Sequence, residues 1–356
     1  MKKQRSMVST ISLLFAFGVF GVAHAWAQNG VIAFEDACHK RAYVMRGEPE
    51  STSNPRVQLP LPPLINGQQV WSRPLDVSTR GPVTVLLDHL FAVQVDDIGG
   101  NLIPKAPVNI RLPNDPSLPA DINNPQAKFS PLGDRVALTA DGVLVVADIV
   151  RDVNDEIVGL TNPTVVANLL SIGSPSDSNL SGGGPFTGFP DFSPDGSRIV
   201  VSIYSDLWLL DLESDGHTLH SAKPLTRTVG DTEWQAAFSP DGNTLAYVSG
   251  PNLRFHGTVS GPHLRFLNIF TLNLVTLAVS QVTPENTFVD PESPAWSPDG
   301  QFLAFMAQGG RVPRNSFCSA LVNYDIYELK ADGTGTAIPL TATVGTGVEM
   351  WPQWGW

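Results

Sequence analysis

Cysteine is nearly absent from this sequence: Cys38 and Cys318 are the only two in 356 residues. That excludes a disulfide-dense small scaffold and any Cys-x-x-Cys redox or zinc-ribbon site. Cations are scarce as well, with 22 Lys and Arg against 34 Asp and Glu. No stretch gathers them into a basic stripe, so nucleic acid and anionic membrane surfaces are excluded as partners. The Walker loop, the dinucleotide fingerprint and the Gly-x-Ser-x-Gly elbow are all missing, which removes the usual residues of nucleotide and serine-hydrolase chemistry. Past residue 25 there is no long apolar run, and hence no candidate membrane span.

The first 25 residues follow a different pattern. Lys2, Lys3 and Arg5 precede an apolar run from Met7 to Ala23, and Ala23-His24-Ala25 supplies the small residues of a cleavage site. This reads as a secretory signal peptide over 1–25, followed by one domain over 26–356, in the periplasm or outside the cell. Cleavage removes three cations and makes an acidic chain more acidic. No membrane insertion is expected after cleavage, and a monomer is expected.

What the chain does contain is glycine and proline, 31 and 30 residues, placed in a recurring turn. Pro294-Ala295-Trp296-Ser297-Pro298-Asp299-Gly300 is followed by Phe302-Leu303-Ala304-Phe305. Pro presets φ at the first central position, Asp bonds nearby backbone, and Gly accepts the positive φ that closes the hairpin. The motif is thus a strand–turn–strand punctuator, with Asp299 structural instead of catalytic. Copies follow Phe192 and Phe238, a variant follows Phe129, and weaker echoes lie at Val77 and at Pro352-Gln353-Trp354. The spacing, 46 to 63 residues, is near or above that of a four-stranded propeller blade.

Each interval has the same internal order. After 192 come Arg198–Ser202 and Leu207–Leu212 as second and third strands, with Pro224-Leu225-Thr226 suggesting the fourth. Val282-Thr283 and Leu340-Thr341 repeat that fourth-strand signal. At the N-terminal end, Val31–Phe34 and Tyr43–Met45 look like second and third strands lacking a first, while Trp351–Trp354 is a first strand lacking the rest. Pairing the two ends completes a blade and removes exposed sheet edges. The expected fold is all-β: a six-bladed β-propeller of four-stranded antiparallel blades, closed by the C-terminal strand.

The Pro-x-Trp-Ser-Pro-Asp-Gly copies with Phe-Leu-Ala-Phe and Tyr324-Asp325-Ile326-Tyr327 resemble the repeats of TolB-like β-propellers. The resemblance implies a periplasmic, WD40-like, non-enzymatic scaffold that binds a protein or peptide. It covers the repeats and not the additional N-terminal domain of TolB, for which no room is expected. Similar repeats occur in the propellers of prolyl-oligopeptidase-type peptidases and in oligogalacturonate-lyase-like proteins. A carbohydrate-active enzyme and a cation- or small-ligand-binding propeller are therefore the alternatives.

The repeat phase assigns the long insertions to one face. One loop carries Arg254, His256, His263 and Arg265, the next Arg311, Arg314 and Cys318, and the first blade adds Cys38, Lys40 and Arg41. Long loops on a rigid scaffold commonly carry binding, so these residues form the candidate surface for a carboxylate-bearing ligand or acidic partner. Solvated loop charge is the plain alternative. Asp231, Glu233, Asp290, Glu292 and Glu349 precede the aromatic markers and are expected at the channel mouth. There they would hold a calcium ion, serve as an acid/base pair, or simply bond connector backbone. No other cofactor is expected. Cys38 and Cys318 fall on equivalent loops of adjacent blades, where a disulfide would staple the closure.

Overall fold

The computed structural model describes residues 30–355 except 50, 52–53, 65–72, 113–114, 121, 123–124, 173–186, 229–230, 252–266, 286, 310–323 and 342–348. Six antiparallel sheets follow one another along the chain. Their inner strands are Glu349–Trp354, Pro74–Ser78, Gln126–Phe129, Gly188–Phe192, Asp231–Phe238 and Phe288–Trp296, for blades one to six. Each inner strand touches the next, and Phe288–Trp296 touches Glu349–Trp354, so the six form a closed ring around a channel. Five sheets are four-stranded, while blade two adds Val108–Asn109 beside Phe91–Ile98.

The expected closure is present. Ile32 pairs with Trp354, Ala33 with Gln353 and Asp36 with Glu349, around a bulge between Ala33 and Glu35. Blade one is thus assembled from both ends of the sequence.

Side-chain alternation builds the cores between blades. Successive residues of a strand point to opposite faces, and a propeller sheet is covered on both. Ile32 and Phe34 pack toward blade six, with Ala304 and Met306, while Val31 and Ala33 pack toward blade two, with Val77 and Val85. Val136 and Leu138 face blade two, and Ala137 faces blade four. Second strands are accordingly apolar at consecutive positions, as in Val31–Asp36 and Arg135–Ala140, which are buried throughout.

The turn works as its residues dictate. Gly196, Gly242 and Gly300 donate their N–H to the carbonyls of Ser193, Ser239 and Ser297, with φ near +70°, which glycine adopts without steric cost. Each Ser hydroxyl bonds the turn Asp and accepts the N–H of the residue five positions on, Arg198, Thr244 or Phe302. In blade three Leu132 replaces the Asp, and Asp134 takes over the bond to Ser130.

The fourth strands lie earlier than the Leu-Thr and Val-Thr signals: Leu219–Pro224, Val279–Gln281 and Ile338–Pro339. The threonines cap the third strand instead. Oγ1 of Thr226, Thr283 and Thr341 accepts the N–H of Leu207, Ile269 and Ile326 at 2.8, 3.0 and 2.9 Å. A recurring Thr serves here because each of these N–H groups lies one position before pairing with the fourth strand begins, and is costly to bury unpaired.

A candidate binding funnel in the central channel

Counting back from each aromatic marker along the inner strands gives the channel lining. One position back are Asp76, Lys128, Asp191, Ala237, Ala295 and Gln353. Three back are Pro74, Gln126, Phe189, Gln235, Ser293 and Trp351. Phe189, Gln235, Ser293 and Trp351 all have φ between 53° and 57°. The ladder slips beside each: between Gly188 and Asp191, Trp234 and Ala237, Glu292 and Ala295, and at the closing strand. A bulge recurring at one level re-aims side chains, and here those four residues line the upper channel.

Lys128 divides the channel. Its Nζ donates to Asp76 Oδ1 at 3.0 Å and to Gln353 Oε1 at 2.5 Å. Asp76 and Asp191 also brace the ring: Asp76 Oδ2 accepts the Phe129 N–H at 2.8 Å, and Asp191 Oδ2 accepts the Phe238 N–H at 2.7 Å. Burial works against the Lys128 charge, yet Asp76 and Asp191 outweigh it and hold the ammonium protonated. Burial pushes the Asp191 carboxyl up to about 7, against the opposing pull of Lys128 and the Phe238 N–H.

The compartment below the plug is lined by Asp76, Asp191, Phe192, Phe238, Trp296 and Trp354, at the Ser-Pro-Asp-Gly end. The compartment above it opens toward the connector face as a narrow funnel of about 80 Å³. Trp351, Phe189 and Pro190 give it apolar walls, and Arg73 sits 5.6 Å above the Trp351 ring while bonded to Asp88 at 3.0 Å. Among the described residues no Asp or Glu lines the funnel, although acids outnumber bases in the chain.

Three glutamines in that wall are oriented by the scaffold. Gln126 Oε1 accepts the Phe189 N–H at 2.5 Å, Gln235 Oε1 accepts the Ser293 N–H at 2.8 Å, and Gln353 Oε1 accepts from Lys128. With each carbonyl fixed, amide orientation follows from the network. Among the described residues none accepts a hydrogen bond from the three Nε2 groups. Gly188 permits the first contact, since a Cβ there would strike Gln126 Oε1.

The five channel-mouth carboxylates lie at the connector ends of inner strands, but none is among the funnel-lining residues. Glu233, Asp290 and Glu349 are buried, while Asp231 and Glu292 are partly exposed. Glu349 accepts from Arg56 at 2.7 Å, with burial raising its carboxyl against that pull. Glu233 accepts from Thr226, and burial pushes it up to about 7. Asp290 accepts from the Tyr324 hydroxyl at 3.3 Å. Among the described residues no three His, Cys, Asp or Glu side chains converge as a metal site would require. Lys40 and Arg41 are exposed on the first-blade hairpin, where Arg41 bonds Gln58. Arg254, His256, His263, Arg265, Arg311, Arg314 and Cys318 lie outside the described residues. Cys38 is disulfide-bonded.

Sequence reasoning passed over the glutamines and the Lys128 plug because amides carry no motif. Their signal was positional, one and three residues before each marker.

Ring and channel define a six-bladed β-propeller. No family model matches the chain, and no curated protein matches it. Among solved structures it is similar to a candidate 6-phosphogluconolactonase from Bacteroides uniformis, at 13% identity over 92% of this chain and 99% of that one, with a TM-score of 0.52. A candidate TolB from Agrobacterium tumefaciens aligns at 13% identity over 92% and 98%, with a TM-score of 0.48. An oligogalacturonate lyase in complex with manganese aligns at 14% over 84% and 69%, with a TM-score of 0.43. At such identities the likeness is one of fold.

Proposed function

We propose that this protein is an exported propeller that works by binding a protein or peptide on its connector face. The observation that carries this reading is the blind funnel: it opens on that face, is walled by Trp351 and Phe189, and is closed beneath by Lys128 with Asp76 and Gln353. Ligand sites favour such concave, largely apolar walls with few placed polar groups. Arg254 and Arg265 follow the strand Thr244–Pro251 in sequence, and Arg311 and Arg314 follow Phe302–Gly309; on this reading their charges serve an acidic partner.

The test is in-cell crosslinking followed by capture, with charge reversal at Arg254, Arg265 and Arg311. The partner should be lost while the melting temperature holds; unchanged capture rejects the loop surface. Export is checked by N-terminal sequencing of the periplasmic form, which should begin after Ala25.

One observation favours a second reading, a carbohydrate-active enzyme. Glu233, raised to about 7 by burial at the connector end of its strand, has the protonation of a general acid. Uronate oligosaccharides should then be shortened by the native protein and untouched by Glu233→Gln.

A further inference from the structure

We infer that the funnel recognises a chain end, the free C-terminal carboxylate of a peptide or protein. This rests on the peptide-binding reading above and names what that site takes.

Three facts converge on a carboxylate. The upper wall presents the Nε2 donors of Gln126, Gln235 and Gln353, each aimed by a scaffold bond to its own carbonyl oxygen. Arg73, paired with Asp88 near the mouth, and Lys128, paired with Asp76 at the floor, both line it, and among the described residues no carboxylate does. Asp76, which pairs with Lys128, and Asp191 line the compartment below. Charge is therefore segregated along the channel axis, with donors above and acceptors beneath. Donors set at fixed positions suit an anionic oxygen pair, and charge-assisted bonds of this kind are about twice as strong as neutral ones.

The shape selects an end over a middle. Lys128 Nζ lies 3.0 Å from Asp76 and 2.5 Å from Gln353, bridging three of the six inner strands. An extended peptide entering from the connector face cannot pass through this closure and must stop. Just above it, Pro190, Phe189 and Trp351 offer apolar surface to the last side chain. Spare amide donors are then available to the terminal carboxylate and to the carbonyl preceding it.

The probes are N-acetylated hexapeptides with three randomised C-terminal positions, prepared as free acids and as C-terminal amides, with acetate and N-acetyl-leucine as single small acids. Immobilised native protein should retain members of the free-acid pool at least tenfold better than their amides, with a change in Trp351 emission. Gln235→Glu keeps the acceptor for the Ser293 N–H while exchanging the donor for a negative oxygen. It should lower free-acid retention at least tenfold at an unchanged melting temperature, and Gln126→Glu should do the same at the Phe189 contact. Equal retention of acids and amides, or full retention by both variants, overturns the inference. N-acetyl-leucine binding as tightly as the best hexapeptide overturns the chain-end assignment in favour of a small-acid site. If neither pool is retained while crosslinking still traps a partner lost on loop charge reversal, the inference falls and the scaffold reading stands. If no partner is trapped either, both fall.

Discussion

The ammonium of Lys128 lies 3.0 Å from Asp76 Oδ1, and the other oxygen of the same carboxylate receives the backbone N–H of Phe129 at 2.8 Å. One carboxylate thereby joins the inner strands of blades two and three and holds the cation that closes the channel. Removing the cation would strand Asp76 beside Asp191 in a desolvated channel. Breaking a buried pair costs roughly 3–5 kcal/mol, and the partial exposure of this one places Lys128→Met near the lower end. Denaturant unfolding should show that loss, and adding Asp76→Asn to Lys128→Met should recover part of it. An unchanged midpoint would mean that the pair adds nothing.

Stability should fall as pH rises from about 4 toward about 7, and level off beyond. Burial pushes Glu35, Asp191, Glu233 and Glu328 each up to about 7, against unfolded values near 4. A carboxyl whose folded pKa is raised favours folding while protonated. Its contribution is full below about pH 4 and is lost as pH climbs through about 7. Melting temperature should therefore decline between pH 5 and pH 8. Glu233→Gln, which cannot ionise, should flatten that decline; an equally steep profile in the variant would remove Glu233 from the account.

Thr283 and Thr341 are almost wholly buried and cap Ile269 and Ile326. Thr→Val preserves shape but leaves a buried N–H without an acceptor, at a cost of about 1–3 kcal/mol. Each single variant should unfold earlier by that amount, and because the two caps sit in different blades the double variant should be nearly additive.

Cys38 is disulfide-bonded, and Cys318 is the proposed partner. Peptide mapping without reductant should recover the two together. Closing so long a loop stabilises by roughly 4–5 kcal/mol in the chain-entropy model, so Cys38→Ser should lower the melting temperature clearly. Recovery of both thiols free from protein made in an oxidising compartment would dismiss the bridge.

The scaffold was readable because Ser-Pro-Asp-Gly is a local instruction. Gly300 needs positive φ and Ser297 accepts the N–H of Phe302 wherever that string occurs, so marking the copies sets the phase of every strand. The split blade followed from that phase. The Leu-Thr signal was mistaken for strand because Thr favours strands; its task at Thr226 is a bond to the backbone of Leu207, nineteen residues earlier. The site was less legible. Asp76, Lys128 and Gln353 come from three blades, and no spacing along one strand reveals that they meet. Carboxylates near the strand starts are conspicuous by their charge, yet Glu349 is taken up by an ion pair with Arg56.

The pairing of Ile32 with Trp354 makes the ring an all-or-none object in time. Until the last strand is available, blade one lacks its inner member and the apolar faces of blades one and six have no complete partner. Contacts between residues so distant in sequence form late and slowly. The ring therefore locks only when residues 349–354 reach residues 31–36, more than 300 positions earlier in the chain.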